Sequence, residues 1–424
     1  MRKTINIQDF LTGEAVMTQA FQKALDSLAD GGGVLYFPRG KYVTGTVFLH
    51  SDITLYLDCG AEIAGSGDLA DYREDHLGSI EAPSMSHCLI YAENCRNVEF
   101  LGSGTINGYG TNHKINRPML MRFVECENVR FEGICLRDSA AWGVHMIACQ
   151  NIHIHAITLD SQKCSNNDGF DFDSCRDIFI SDSTIRTVDD SICLKSTRPT
   201  MGENLVVTNC ILSSKTAVFK TGTSSLSGFK NVAIQNCVVQ NCPMGTFKII
   251  CVDGGIVENI SISNIVMDNV GSPLFIRLGK RNMKFDAPAE MDYVTAGQPN
   301  DDAPGIIRNI SFSNIQANVT VTDIRKTPMM LSGLADSKIQ NVRLSNVSVA
   351  FCGGGTEADR DIQVPEDEYR YPEQWFFGAL PAYGLYARHV SGLKISNTDL
   401  TLSGQDARDV CYFEDVTLQP EQTF

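Results

Sequence analysis

CRNVEF (Cys95–Phe100), CENVRF (Cys126–Phe131), CQNIHI (Cys149–Ile154) and CRDIFI (Cys175–Ile180) are one phrase written four times. Its core, Asn or Asp followed by alternating apolar residues, continues as NLVV from Asn204, NVAI from Asn231 and NISI from Asn259. It ends with NISF from Asn309 and NVRL from Asn341. The nine starts are separated by 31, 23, 26, 27, 27, 28, 50 and 32 residues. Recurrence at 20–50 residues marks a solenoid. Each repeat alternates apolar and polar residues in short runs bounded by Gly, Asn, Ser and Asp, which is strand punctuation without a competing helical period. A parallel β-helix satisfies both constraints. One coil of three short strands and three turns needs about 22–28 residues, and it buries its inner face by stacking on its neighbours. The interval of 50 reads as two coils of about 25 or as one coil with a long loop.

The phase of the repeat assigns its side chains. Cys95, Cys126, Cys149 and Cys175 precede the repeated Asn or Asp by two residues, so they should stack as one interior column. The Asn should form a ladder at a turn, its amide satisfying backbone groups above and below. The 15 Cys are odd in number and lack a metal-type Cys-x-x-Cys pair, so they read as reduced core residues.

Outside the repeat, three segments differ. Residues 14–30 place Met17, Phe21, Ala24, Leu25 and Leu28 on one helical face, and the Gly run from Gly31 ends it. One amphipathic helix before the first coil is expected to cap the open end of the solenoid. Residues 279–306 and 352–380 break the period and are rich in Gly, Pro and acids, so they read as long loops. The whole chain, 1–424, is expected to be one all-β domain.

A formal charge of −15 argues against nucleic acid as a partner. No run of about 18 apolar residues exists, so no membrane span is expected. No apolar segment follows Arg2-Lys3, so the expectation is a cytoplasmic protein, or a secreted one whose leader has been removed.

Stacking by phase also predicts a charged column on the outer face: Arg122, His145, Asp171, Lys195, Lys220, Lys248 and Arg277, at intervals of 23, 26, 24, 25, 28 and 29. At a strand spacing of about 4.8 Å, the four cations from Lys195 to Arg277 would span about 14 Å. Their repulsion would be relieved by an anionic ligand. The plain alternative is solvated residues paired with neighbouring acids.

Beside this column lie Asp168, Asp189 and Asp190. The pair follows Asp168 by 21 and 22 residues, close to one coil, so three carboxylates should meet on the surface. Like charges held close raise the pKa of at least one member. A protonated acid beside ionised partners is suited to glycosidic hydrolysis: one group protonates the leaving oxygen and another activates water. Turn residues and a Ca²⁺ site are the alternatives for such a cluster. His153 and His155 share one side of a strand without an apparent third metal ligand, so no metal and no cofactor are expected.

At these residues the chain resembles glycoside hydrolase family 28, the polygalacturonase-like pectin hydrolases. The resemblance runs from GGGVLYFPRGKYVTGTVFLHSDITLYLDCGAEIAGS to YPEQWFFGALPAYGLYARHV. The family's Asn-Thr-Asp motif matches NND at Asn166–Asp168, and its Gly-Asp-Asp motif matches VDD at Val188–Asp190. The resemblance implies an inverting hydrolase on a right-handed parallel β-helix, with Asp189 as general acid and Asp168 and Asp190 holding and activating the water. Two motifs depart. Gly-His-Gly falls at Thr216–Val218, which reads TAV, and Arg-Ile-Lys falls at TFK, which keeps Lys248 and has Thr246 in place of Arg. In the family these residues support the catalytic Asp and grip a galacturonate carboxylate.

The expected function is therefore hydrolysis of α-linked galacturonate-type oligo- or polysaccharides, exo-acting on short or decorated fragments, with an anionic pectic substrate. Lys220 and Arg277 would replace the missing positive charge. Trp142, Glu373 and the aromatic residues around Glu373 are candidates for sugar contact, or for packing the coils. A β-helix lyase and a non-catalytic carbohydrate-binding solenoid are the alternatives.

Overall fold

The computed structural model describes residues 2–74, 85–284, 302–321 and 327–420. It divides into two compact units, Met1–Ile192 and Cys193–Phe424.

The first unit is a stack of parallel coils with three sheets. The first sheet runs through Gly33–Phe37, Ile53–Leu57, Arg96–Gly102, Glu127–Glu132, Gln150–His155 and Arg176–Ser181. The second contains Gly40–Thr44, Ala61–Gly65, Thr105–Asn107, Cys135–Arg137, Thr158–Ser161 and Thr184–Thr187. The third contains Val47–Phe48, Cys88–Glu93, Met119–Val124, Val144–Ile147 and Phe170–Asp173. Every pairing is parallel, and each links residues one coil apart, as the period predicts. Inward positions align: Val98, Val129, Ile152 and Ile178 form one buried row, and Phe100, Phe131, Ile154 and Ile180 the next. Phe100 and Phe131 stack with centroids 4.8 Å apart.

The repeated Asn is selected by its backbone. Asn97, Asn128, Asn151 and Asp177 have φ of 56, 59, 55 and 57°, the left-handed region that Asn and Asp tolerate best among residues with a side chain. The amides form their ladder by bonding one another rather than the backbone. Asn128 Nδ2 donates to Asn97 Oδ1 at 2.8 Å, and Asn151 Nδ2 to Asn128 Oδ1 at 2.6 Å. An amide carries donor and acceptor together, so identical residues can chain indefinitely. The thiols satisfy backbone groups instead: Cys126 N–H donates to Cys149 Sγ, and Cys149 N–H to Cys175 Sγ, both at 3.3 Å. The cysteines form no disulfides, and burial pushes the Cys149 thiol well above its usual pKa.

The cap helix spans Thr18–Asp26, shorter at both ends than residues 14–30. Its start is set by neighbouring strands: Met17 N–H donates to Val43 O at 2.7 Å, and Thr18 Oγ1 accepts from Gly45 N–H at 2.7 Å. Ala20, Phe21, Ala24 and Leu25 are buried, with Phe21 against Phe37. Among the described residues, no helix is long and apolar enough to cross a membrane.

The second unit repeats the plan with longer strands that bend through further left-handed Asn. These are Gly228–Cys242, Ile256–Val270, Ile306–Val319, Ile339–Phe351 and Ala382–Leu402. Asn264, Asn314, Asn346 and Asn397 carry a second amide ladder upward from Asn236. Ile260 pairs with Ile310, so the interval of 50 is one coil with a long insertion. Most of that insertion, 285–301, lies outside the described residues. Residues 352–380 form the other long loop, with two short 3-10 turns, Glu357–Asp359 and Gln374–Phe377.

Candidate active site

In the first unit, the turns leading into the third sheet stack on one another. Gly143 N–H donates to Asp168 O, and Gly169 N–H to Asp190 O, each at 2.9 Å. Asp189 N–H donates to Asn167 O at 3.1 Å. Asp168 therefore lies one coil from Asp190, and Asn167 one coil from Asp189. Oxygens from Asp168, Asp189 and Asp190 lie within 4.8 Å of one another. Asp168 and Asp190 are buried and Asp189 is half-buried. The three predicted carboxylates are brought together.

Small residues permit this approach. A Cβ at Gly169 would lie 2.3 Å from Ser191 O, so any larger residue would push the two turns apart. Asn167, absent from the sequence prediction, holds the Asp168 turn from beneath. It is fully buried, its Nδ2 donates to Ser139 O at 2.8 Å and Ala141 O at 2.9 Å, and its Oδ1 accepts from Cys164 N–H at 2.8 Å. The signal for it was a second polar residue inside NND. On the other turn, Asp190 N–H donates to Asp189 Oδ1 at 3.1 Å, and Thr187 Oγ1 donates to Asp189 O at 2.5 Å.

The predicted charged column is present in part and is not solvent-facing. Arg122, His145 and Asp171 are in register on adjacent strands and fully buried. Arg122 donates to Met85 O at 2.9 Å, and Trp142 packs edge-on to His145 at 5.0 Å. Trp142 is itself buried with Met85, Cys88, Tyr91, Met119 and Ile147, so it packs the coils rather than presenting a face for a sugar.

In the second unit, Lys220 pairs with Lys248 as expected. Lys195 lies on Ile192–Ser196, the strand that pairs with Phe219–Ser225, and is buried. Arg277 does not join the column. Lys248 pairs with Phe275, and Arg277 pairs with Ile250 and then Ser332, two residues further along the strand. Matching Lys to Arg by charge overrode the apolar register, in which Phe247 sits opposite Leu274.

The lysines are also not exposed cations awaiting an anion. Loop 352–380 supplies one: Glu373 Oε2 lies 2.6 Å from Lys248 Nζ, and Oε1 lies 3.3 Å from Lys220 Nζ. Glu373 is buried and contacts lysines rather than lying open to a sugar. Arg277 donates to Ser332 Oγ and to the loop carbonyls of Glu366 and Asp367 at 2.8–3.0 Å. Its burial and the nearby Arg388 lower its pKa to about 10. Arg388, another residue the sequence prediction missed, donates to Val364 O and Pro365 O at 2.9 Å. These cations clamp the loop to the sheet.

A model of the Glycosyl hydrolases family 28 matches residues 75–366, which include the three clustered carboxylates. The chain is similar to a probable polygalacturonase of Vitis vinifera, with 29% identity over 369 residues, covering 80% of this chain and 72% of that protein. It is also similar to the exo-poly-alpha-D-galacturonosidase of Dickeya chrysanthemi, with 21% identity over 432 residues, covering 81% and 71%. Among solved structures it resembles the family 28 exopolygalacturonase of Yersinia enterocolitica, with a TM-score of 0.74 and 17% identity over 98% of this chain and 78% of that one. The likeness shows the fold, a right-handed parallel β-helix. The matched family, spanning most of the chain, is that of glycoside hydrolases, and the chain belongs to glycosyl hydrolases family 28.

Proposed function

We propose that this glycoside hydrolase cleaves α-linked galacturonate-type oligosaccharides of pectic origin with inversion, releasing sugar from a chain end. The observation that carries the reading is the convergence of Asp168, Asp189 and Asp190 within 4.8 Å. Asp189, the half-buried member, is the general acid that protonates the leaving oxygen. Asp168 and Asp190, buried on successive coils, hold one water between them and take its proton as it attacks. Two carboxyls of a common inverting pair stand about 6.5–9.5 Å apart to leave room for the water. A third carboxylate relaxes that spacing, because the water is shared by two groups beside the acid. The exo character is supported by the relatives named for exo action.

The test is incubation of the purified protein with short oligogalacturonides, with and without chelator. New reducing ends without an unsaturated, ultraviolet-absorbing product, unaffected by chelator and appearing first as monomer or dimer, are expected. An absorbing product lost on chelation would establish elimination instead. Ligand binding without turnover would establish a carbohydrate-binding solenoid.

A further inference from the structure

The turn that carries Asp168 is held from two sides. From beneath, the buried Asn167 bonds Ser139 O and Ala141 O. From outside, Arg117 reaches it from two coils away. Its Nη1 donates to Ala140 O at 3.0 Å, to Ser165 Oγ at 3.2 Å and to Ser165 O, and its Nη2 donates to Asn166 Oδ1 at 2.8 Å. Arg117 lies just before the third-sheet strand Met119–Val124, Ala140 just before Val144–Ile147, and Ser165 and Asn166 just before Phe170–Asp173. One guanidinium therefore ties the same corner on three successive coils, and its last contact is two residues from Asp168. All of these residues, like the three carboxylates, belong to the first unit.

Two features fit Arg117 for this task. Pro118 restricts the residue before it to extended backbone, which limits the directions in which the side chain can leave. The planar guanidinium presents its donors at fixed angles and gives up less freedom per hydrogen bond than a lysine would. The turn it holds needs an outer support. Ser165 and Asn166 are exposed, and Asn166 is left-handed with φ of 52°. Lys163 on the same turn pairs with Asp138 at 2.7 Å, but that lysine is 58% exposed, and exposed ion pairs contribute little.

The chemistry is sensitive to where this turn sits. Asp168 shares the attacking water with Asp190 on the next coil, so the two carboxylates must keep their spacing. A misplacement of about 1 Å at a reacting group can cost about 10²-fold in rate. We propose that Arg117 is a positioning residue for the hydrolysis: acting through Ser165 and Asn166, it fixes Asp168 at the spacing from Asp190 that holds the water. This rests on the proposed function.

The experiment measures kcat and KM on a short oligogalacturonide for wild type, Arg117→Ala, Asp168→Asn and the double variant, each below its denaturation midpoint. Arg117→Ala is expected to lower kcat by about 10–10²-fold and to change KM by less than about threefold. In the Asp168→Asn background the same substitution should cost less than about twofold, because residues that act as one unit do not add. Equal losses in the two backgrounds would make Arg117 a support of the coil independent of Asp168, and would overturn the inference. Unchanged kcat in folded Arg117→Ala, or a loss confined to KM, also overturns it. If Arg117→Ala does not fold, Asn166→Gly takes its place in the same cycle, since Gly keeps the left-handed backbone and removes the Nη2 acceptor. Unchanged kcat or an additive cycle there overturns the inference in the same way. A wild type that turns over while the cycle is additive leaves the proposed function standing. A wild type that does not cleave overturns the proposed function and this inference with it.

Discussion

Asp189→Asn is expected to lower kcat on a cleaved pectic oligosaccharide by about 10²–10⁴-fold, the usual contribution of a positioned general acid. Ligand binding should change by only a few-fold. Asn keeps the volume and the Oδ1 that accepts from Asp190 N–H, so the turn is preserved while the transferable proton is lost. Asp189 is the half-buried member of the cluster, so it is the one a leaving oxygen can reach without disturbing the coil. The control is Asp182→Asn. Asp182 is an exposed turn residue that pairs with His155 at 3.4 Å, and its loss should leave turnover unchanged. Unchanged turnover in Asp189→Asn would remove the acid from the mechanism.

Asp253→Ala should destabilise the protein by about 3–5 kcal/mol, the range for removing one partner from a buried ion pair. Arg281 Nε donates to Asp253 Oδ1 at 2.8 Å and its Nη2 to Oδ2 at 2.5 Å, with both side chains almost fully buried. Asp253 also accepts from the Ser225 N–H at 3.0 Å and the Met283 N–H at 3.1 Å. Truncation leaves a guanidinium in a dry site and two amides without this acceptor. Asp253→Leu combined with Arg281→Met should recover part of the loss, because apolar side chains carry no desolvation penalty. The denaturation midpoints of wild type, single and double variants make the measurement. A single variant as stable as wild type would show that the pair contributes little.

Much of this architecture was legible because a β-helix writes its period into its sequence. Asn97, Asn128 and Asn151 recur since each coil needs one left-handed turn at the same place. The same period placed Asp168 against Asp190, because 22 residues return the chain to the same corner one coil higher. The error at Arg277 came from matching by charge instead of by period: an interval of 27 residues sets Phe247 opposite Leu274 and Lys248 opposite Phe275, and Arg277 lies two residues further along the strand. Glu373 was read as a sugar contact because its partners lie 125 and 153 residues away, and loop 352–380 carries no period to connect them. Burial was misjudged for a related reason. Alternation shows which residues leave the coil's interior, but it does not show that Met85 or loop 352–380 then covers Arg122 or Lys248.

The spacing of the carboxylates makes stereochemistry the decisive observable. At 4.8 Å or less, the oxygens are closer than in a common two-carboxylate inverting pair, and the inverting reading depends on Asp168 and Asp190 sharing the water. Proton NMR of the first product formed from an α-linked oligogalacturonide, recorded before mutarotation, reads the outcome directly. The account predicts the β-anomer as the initial product. An initial α-anomer would mean a covalent intermediate on one of these aspartates and would contradict it.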